Sequence, residues 1–120
     1  MSTTNTAILG HLGRLGFSLD DDKTAGTASS QSGANAITGQ VTRVTSAVAN
    51  GSMILRSILT SDAPNLCFVV NDSAQAIVLY PFSGENMNGS ANAGLTIAAG
   101  AFAVCSRVKS TLDWRSAVIS

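Results

Sequence analysis

The stretch Leu66-Cys67-Phe68-Val69-Val70-Asn71-Asp72-Ser73-Ala74-Gln75-Ala76-Ile77-Val78-Leu79-Tyr80-Pro81 sets the terms for the whole chain. Residues 66–70 are all apolar, so both faces of this segment should be covered, which marks a central strand. Asn71-Asp72-Ser73 closes a turn through side-chain hydrogen bonds to nearby backbone groups. The chain then alternates, with Ile77 and Leu79 facing one way and Val78 and Tyr80 the other. Pro81 has no backbone donor and ends the ladder.

The same pattern extends outward in both directions. Strands are expected at 40–48, 52–59, 95–98, 101–108 and 117–119, besides 66–70 and 76–80. In 101–108, Phe102, Val104 and Val108 alternate with Ala103, Cys105 and Arg107, as in a strand with one side toward a core. Asn50-Gly51 reads as a hairpin turn, because both residues tolerate positive φ. Asp62-Ala63-Pro64-Asn65 is a second break, and Ser83-Gly84 and Asn88-Gly89 bracket a longer loop. Short strands at this spacing predict an all-β fold, an antiparallel β-sandwich or jelly-roll-like domain. No internal sequence repeat signals a solenoid.

Upstream of residue 37 the pattern changes. Ile8, Leu9, Leu12, Leu15, Phe17 and Leu19 form an apolar set, and Ile8, Leu12, Leu15 and Leu19 have the spacing of one helical face. Gly10, Gly13 and Gly16 interrupt it, each costing a helix about 1 kcal/mol relative to Ala. The set therefore reads as an arm ordered by contact with a partner. From Asp20 to Ala36 the composition is acidic, then rich in Ala, Gly, Thr, Ser, Gln and Asn, as in a linker. The expected organisation is an arm and linker over 1–36 and a β-sandwich domain over 37–120.

Composition narrows the function classes. With 120 residues the chain fits one domain. Charged residues make up only 12%, against a usual share of about 25%, which suits lasting contact with other protein. The net charge is zero and the seven basic residues are scattered, so nucleic acid, which needs a basic stripe, is not expected as a partner. No apolar run approaches the roughly 20 residues of a membrane span. The N-terminus lacks the basic and apolar regions of a signal peptide, so no membrane partner is expected.

No constellation reads as catalytic. His11, the only histidine, sits in the glycine-broken arm without a visible orienting partner. Without a second histidine or a Cys-x-x-Cys, a zinc site lacks ligands. Asp20-Asp21-Asp22 lacks the alternating oxygens and distal carboxylate of a calcium loop and reads as a solvated cluster. Cys67 and Cys105, each inside an apolar run, read as buried thiols rather than a disulfide in a reducing cytoplasm. Tyr80 and Trp114 read as interface or core anchors more readily than as a sugar-stacking pair, since aromatic residues total 5%. No enzyme activity, metal or cofactor is expected.

The segment from Phe68 to Gly89 resembles small bacteriophage virion proteins. An apolar strand leads to an Asn-Asp turn, then a short strand ends in Tyr80-Pro81, followed by Ser83-Gly84 and Met87-Asn88-Gly89. Leu95 to Gly100, the apolar strand from Ala101 and Trp114 fill the later places of that pattern. The resemblance covers about residues 66–114. It implies a capsid cement or decoration protein of β-sandwich type, made in the host cytoplasm and resident on the virion surface. Its partner would be the phage major capsid protein, and it would associate as a dimer or trimer. Related domains occur in phage fibres and head–tail connectors, and a carbohydrate-binding host-recognition domain is a further reading.

Overall fold

The computed structural model describes residues 18–60 and 63–120. Its strands are β1 (Leu19–Thr24), β2 (Asn35–Ala36), β3 (Val41–Ser46), β4 (Gly51–Ile54), β5 (Leu66–Asn71), β6 (Ile77–Tyr80), β7 (Asn86–Met87), β8 (Ser90–Ala91), β9 (Leu95–Ile97), β10 (Phe102–Val108) and β11 (Asp113–Ile119). They form a seven-stranded sheet, in the order β1-β3-β5-β10-β11-β7-β8, and a four-stranded sheet, β2-β4-β6-β9. The fold is all-β, as expected. Its pairing is mixed rather than antiparallel throughout.

From β1 to β6 each strand lies in the opposite sheet from the one before it. β1, β3 and β5 pair in parallel in the larger sheet, and β2, β4 and β6 pair in parallel in the smaller. Residues 19–80 thus wind as three stacked coils, each giving one strand to each sheet. This is solenoid-like stacking without a sequence repeat. Later strands add antiparallel pairs: β9 returns against β6, β10 against β5 and β11 against β10, while β7 runs parallel to β11.

One core fills the space between the sheets. Met53, Ile77, Leu79 and Ile97 of the smaller sheet meet Val44, Val69, Ala103, Cys105 and Trp114 of the larger one. Burying each large aliphatic side chain here contributes about 1.5–3 kcal/mol. β5 lies between β3 and β10, so its reading as a central strand holds. The turn after it is closed as expected. Asn71 Oδ1 accepts from the Ser73 N–H at 3.1 Å and the Ser73 hydroxyl at 2.7 Å. Asn71 Nδ2 donates to Gln75 O at 2.8 Å and Ile97 O at 2.9 Å, so its buried amide is fully used.

Three expectations change. First, residues 20–36, read as linker, and Leu19, read with the arm, belong to the folded unit. β1 and β2 are hydrogen-bonded edge strands, and Ala25 and Ile37 are core residues. Composition concealed this because an edge strand beside a polar sheet margin needs few apolar residues. Second, Asn50-Gly51 is not a hairpin. It carries the chain from β3 in one sheet to β4 in the other, with Asn50 at φ 56° and the Asn50 N–H bonded across to Ala76 O of the next coil. Third, the acidic run is not a free cluster. Asp20 pairs with Lys23 at 3.2 Å and accepts from Thr38, Asp21 pairs with Arg43, and Asp22 accepts from Thr45.

Candidate functional site: a rigid apolar knob beside a groove

Beyond β4 the chain leaves the smaller sheet as a turn through Ser57-Ile58-Leu59-Thr60. Ser57 O accepts from the Thr60 N–H at 3.1 Å, and Ser57 Oγ accepts from the Leu59 N–H at 3.2 Å. Two side chains from distant positions then pin this turn. Glu85, the only glutamate in the chain, is 4% exposed. Its carboxylate accepts from the Ile58 N–H at 2.9 and 3.1 Å and from the Ser57 hydroxyl at 2.6 Å. From the opposite side Arg107 donates to Ile58 O at 3.2 Å and to Asn65 Oδ1 at 2.7 Å. Hydrogen bonds to ionised groups contribute more than neutral ones, about 1.5–3 kcal/mol each where desolvated.

The pinned turn buries Ile58 completely and turns Leu59 outward, 63% exposed. No other large apolar side chain among the described residues is as exposed. Beside it opens a groove of about 310 Å³, with Ile54, Leu55 and Phe82 on its apolar side and Arg56, Ser57 and Thr60 on its polar side. Phe82 is 45% exposed. It follows Pro81, which ends β6 and releases the next side chain from the sheet. A fixed apolar knob next to a partly polar groove is suited to non-covalent docking, because little side-chain and loop entropy is lost on contact.

The residues singled out from sequence lie elsewhere. Of the arm set, Leu19 opens β1 at the margin of the larger sheet and is 45% exposed. Ile8, Leu9, Leu12, Leu15 and Phe17 lie outside the described residues, as does His11. Trp114 is 1% exposed, inside the core, so it is a core anchor rather than an interface side chain. Tyr80 is half-buried at the end of β6, and its hydroxyl reaches Ser29 O at 3.5 Å. The two rings sit in different sheets and form no sugar platform. Cys67 and Cys105 are free, buried and directly opposite each other across β5 and β10. Burial raises both thiols, Cys105 to about 11 and Cys67 further, the latter also repelled by Cys105.

Leu59, Phe82 and Glu85 were missed by sequence reasoning. Leu59 was placed inside a strand over 52–59, which ends at Ile54. The available signals were Ser57, a residue that caps turns through its hydroxyl, and the single glutamate in an otherwise uncharged stretch. Among the described residues no three His, Cys, Asp or Glu side chains come together. Comparison with family models, with curated proteins and with solved structures finds no match.

Proposed function

We propose that this chain is a phage virion structural protein of the capsid cement type, which stabilises a shell by binding assembled major capsid protein. The observation that carries the docking part of this reading is the Leu59 knob, held rigid by Glu85 and Arg107 beside the Phe82 groove. The virion part rests on the resemblance of residues 66–114 to small phage proteins, and a surface poor in charge supports it. A protein that binds only the assembled lattice adds its binding free energy to particle stability, and many copies on a repeating surface add avidity. In this reading the two sheets are a sandwich with mixed pairing, a variation on the antiparallel or jelly-roll form that the resemblance implies. The protein associates as a dimer or trimer and resides on the virion. A fibre or head–tail connector module is the alternative role, distinguished by copy number: hundreds per particle for cement, a dozen or fewer for a connector.

Cosedimentation with purified capsids tests the attachment site. Leu59→Asp and Phe82→Asp should each weaken binding by roughly tenfold or more, since a buried interface anchor is worth more than about 1.4 kcal/mol. Both positions are exposed, so the melting temperature should stay within about 2 °C of the parent. Unchanged binding by both variants would reject this surface as the contact.

A further inference from the structure

β11 has one edge against β10 and another that its neighbours cover only in part. β7 pairs with it at Asp113 and Trp114 alone, where the Asn88 N–H also donates to Trp114 O at 3.0 Å. At the next position the Asn88 side chain takes the place of a strand. Its Oδ1 accepts from the Ser116 N–H at 2.7 Å, and its Nδ2 donates to Ser116 O at 3.0 Å. Trp114 and Ser116 thus direct backbone groups away from β10, and the period of two puts the Val118 N–H and C=O on the same side. Among the described residues no strand pairs with β11 there. Val118 and Ile119 are exposed, as is Ala117, and the register with β10 runs unbroken through Ile119. The opposite margin of the larger sheet is built differently. β1 carries Asp20, Asp21 and Asp22, and its register shifts twice. Charge and irregularity are the means by which an edge is kept from pairing. Residues 116–119 have neither.

We propose that two copies of the chain join through this edge, β11 antiparallel to β11, with Val118 against Val118 on a two-fold axis and the two larger sheets made continuous. The proposal rests on the self-association put forward above and gives it a surface. A second copy is selected as the occupant by the shape and charge of the edge. On the axis each Val118 N–H meets the other copy's Val118 C=O, so one open position per copy closes two hydrogen bonds. The same register sets Ala117 opposite Ile119 of the second copy, a small side chain against a large one, on both sides of the axis. Asn88 already occupies Ser116, so a longer strand from another protein gains no further ladder bonds. Residues near a two-fold axis meet their own copies, which an uncharged segment tolerates; the aspartates of β1 in that arrangement would repel. The Leu59 knob lies toward the other end of β11: Arg107, which holds Ile58 O, pairs with Trp114, about 13 Å along the strand from Val118. Each copy therefore keeps its Leu59 surface, and the dimer attaches through two of them, which adds avidity.

Sedimentation velocity of the full chain, without capsids, tests this. The parent should be a dimer. Val118→Lys and Val118→Glu each set like charges against one another on the axis, and each variant should sediment as a monomer. Their equimolar mixture should recover the dimer, because opposite charges then meet, and a variant that had merely failed to fold would not recover. Leu59→Asp should stay dimeric. A monomeric parent would overturn the self-association together with this interface. A trimeric parent would overturn the interface alone, since an edge that pairs with itself closes at two copies. So would a dimer that persists in both Val118 variants, a mixture that remains monomeric, or a monomeric Leu59→Asp, which would move the contact to the knob.

Discussion

The chain uses the same dipeptide in two ways, and the contrast separates its two halves. Asn50-Gly51 lies in the coiled half, residues 19–80, and Asn88-Gly89 in the returning half, residues 86–119. At Asn88-Gly89 both residues have positive φ, 52° and 84°, and β7 and β8 pair directly across the two-residue turn. That is the hairpin geometry expected of the dipeptide. At position 50 only the asparagine has positive φ, and the chain passes to the other sheet. Gly51 serves packing between coils: a Cβ there would lie 3.0 Å from Gly26 O and 3.1 Å from the Ala25 Cβ. Gly26 and Ser52 bond each other reciprocally, at 2.8 and 3.0 Å. A turn residue therefore signals a change of direction, while the surrounding core decides whether the next strand stays in the same sheet.

Substitution of glycine in each half should break the comparison apart most visibly. A Cβ at Gly26 would sit 2.3 Å from Gly33 O, a backbone atom of the same coil that cannot swing aside. Gly26→Ala should therefore cost about 3 kcal/mol in chemical denaturation. At Gly89 the nearest atom is Arg115 Nη2 at 3.6 Å, so only the left-handed backbone is penalised, and Gly89→Ala should cost about 1 kcal/mol. Equal costs would mean that coil packing does not distinguish the two positions.

Asn71 sharpens the question of whether the halves are one cooperative unit. It ends β5 in the coiled half, and its amide reaches Ile97 O of β9 in the returning half. Asn71→Ala leaves that buried carbonyl and Gln75 O short of a donor and should cost about 2 kcal/mol. Fluorescence of Trp114 and far-ultraviolet circular dichroism should still report one transition. Two separated transitions would show that the coils melt independently of the returning strands.

The smallest effect concerns the seam itself, where Cys67 of β5 faces Cys105 of β10. Burial raises the Cys105 thiol from an ordinary 9.0 to about 11. Its stabilising contribution is complete below the unfolded value and is lost as pH rises toward the folded one, because only the unfolded state releases the proton in that window. Unfolding free energy should be level with respect to these thiols up to pH 8. It should then fall by about 0.4 kcal/mol per thiol at pH 9. Denaturation of a Cys67→Ala, Cys105→Ala variant at the same pH values checks this, since its stability should lack that component. An identical pH dependence in parent and variant would contradict it.

Strand content was legible from residues alone, because alternation and turn chemistry act within a few positions. The segments 66–70, 76–80, 95–98 and 101–108 correspond closely to β5, β6, β9 and β10. So was the turn at Asn71-Asp72-Ser73, whose bonds are made by neighbours in sequence. β1 and β2 were not legible, because polar residues supply an edge strand as well as a linker. The Leu59 knob was not, because its pins, Glu85 and Arg107, are separated from it by 26 and 48 positions in the chain.

What the amino-acid sequence determined by itself is the set of short segments that must bury one or both faces, and the places where the chain must turn. Only the tertiary structure decided that the first six strands coil in parallel between two sheets and that β9 and β10 return antiparallel to β6 and β5. The physical reason is that a strand's alternation is the same whether its neighbour runs with it or against it. The choice is made by close approaches such as Gly26 to Gly51, and by which strands meet across one core.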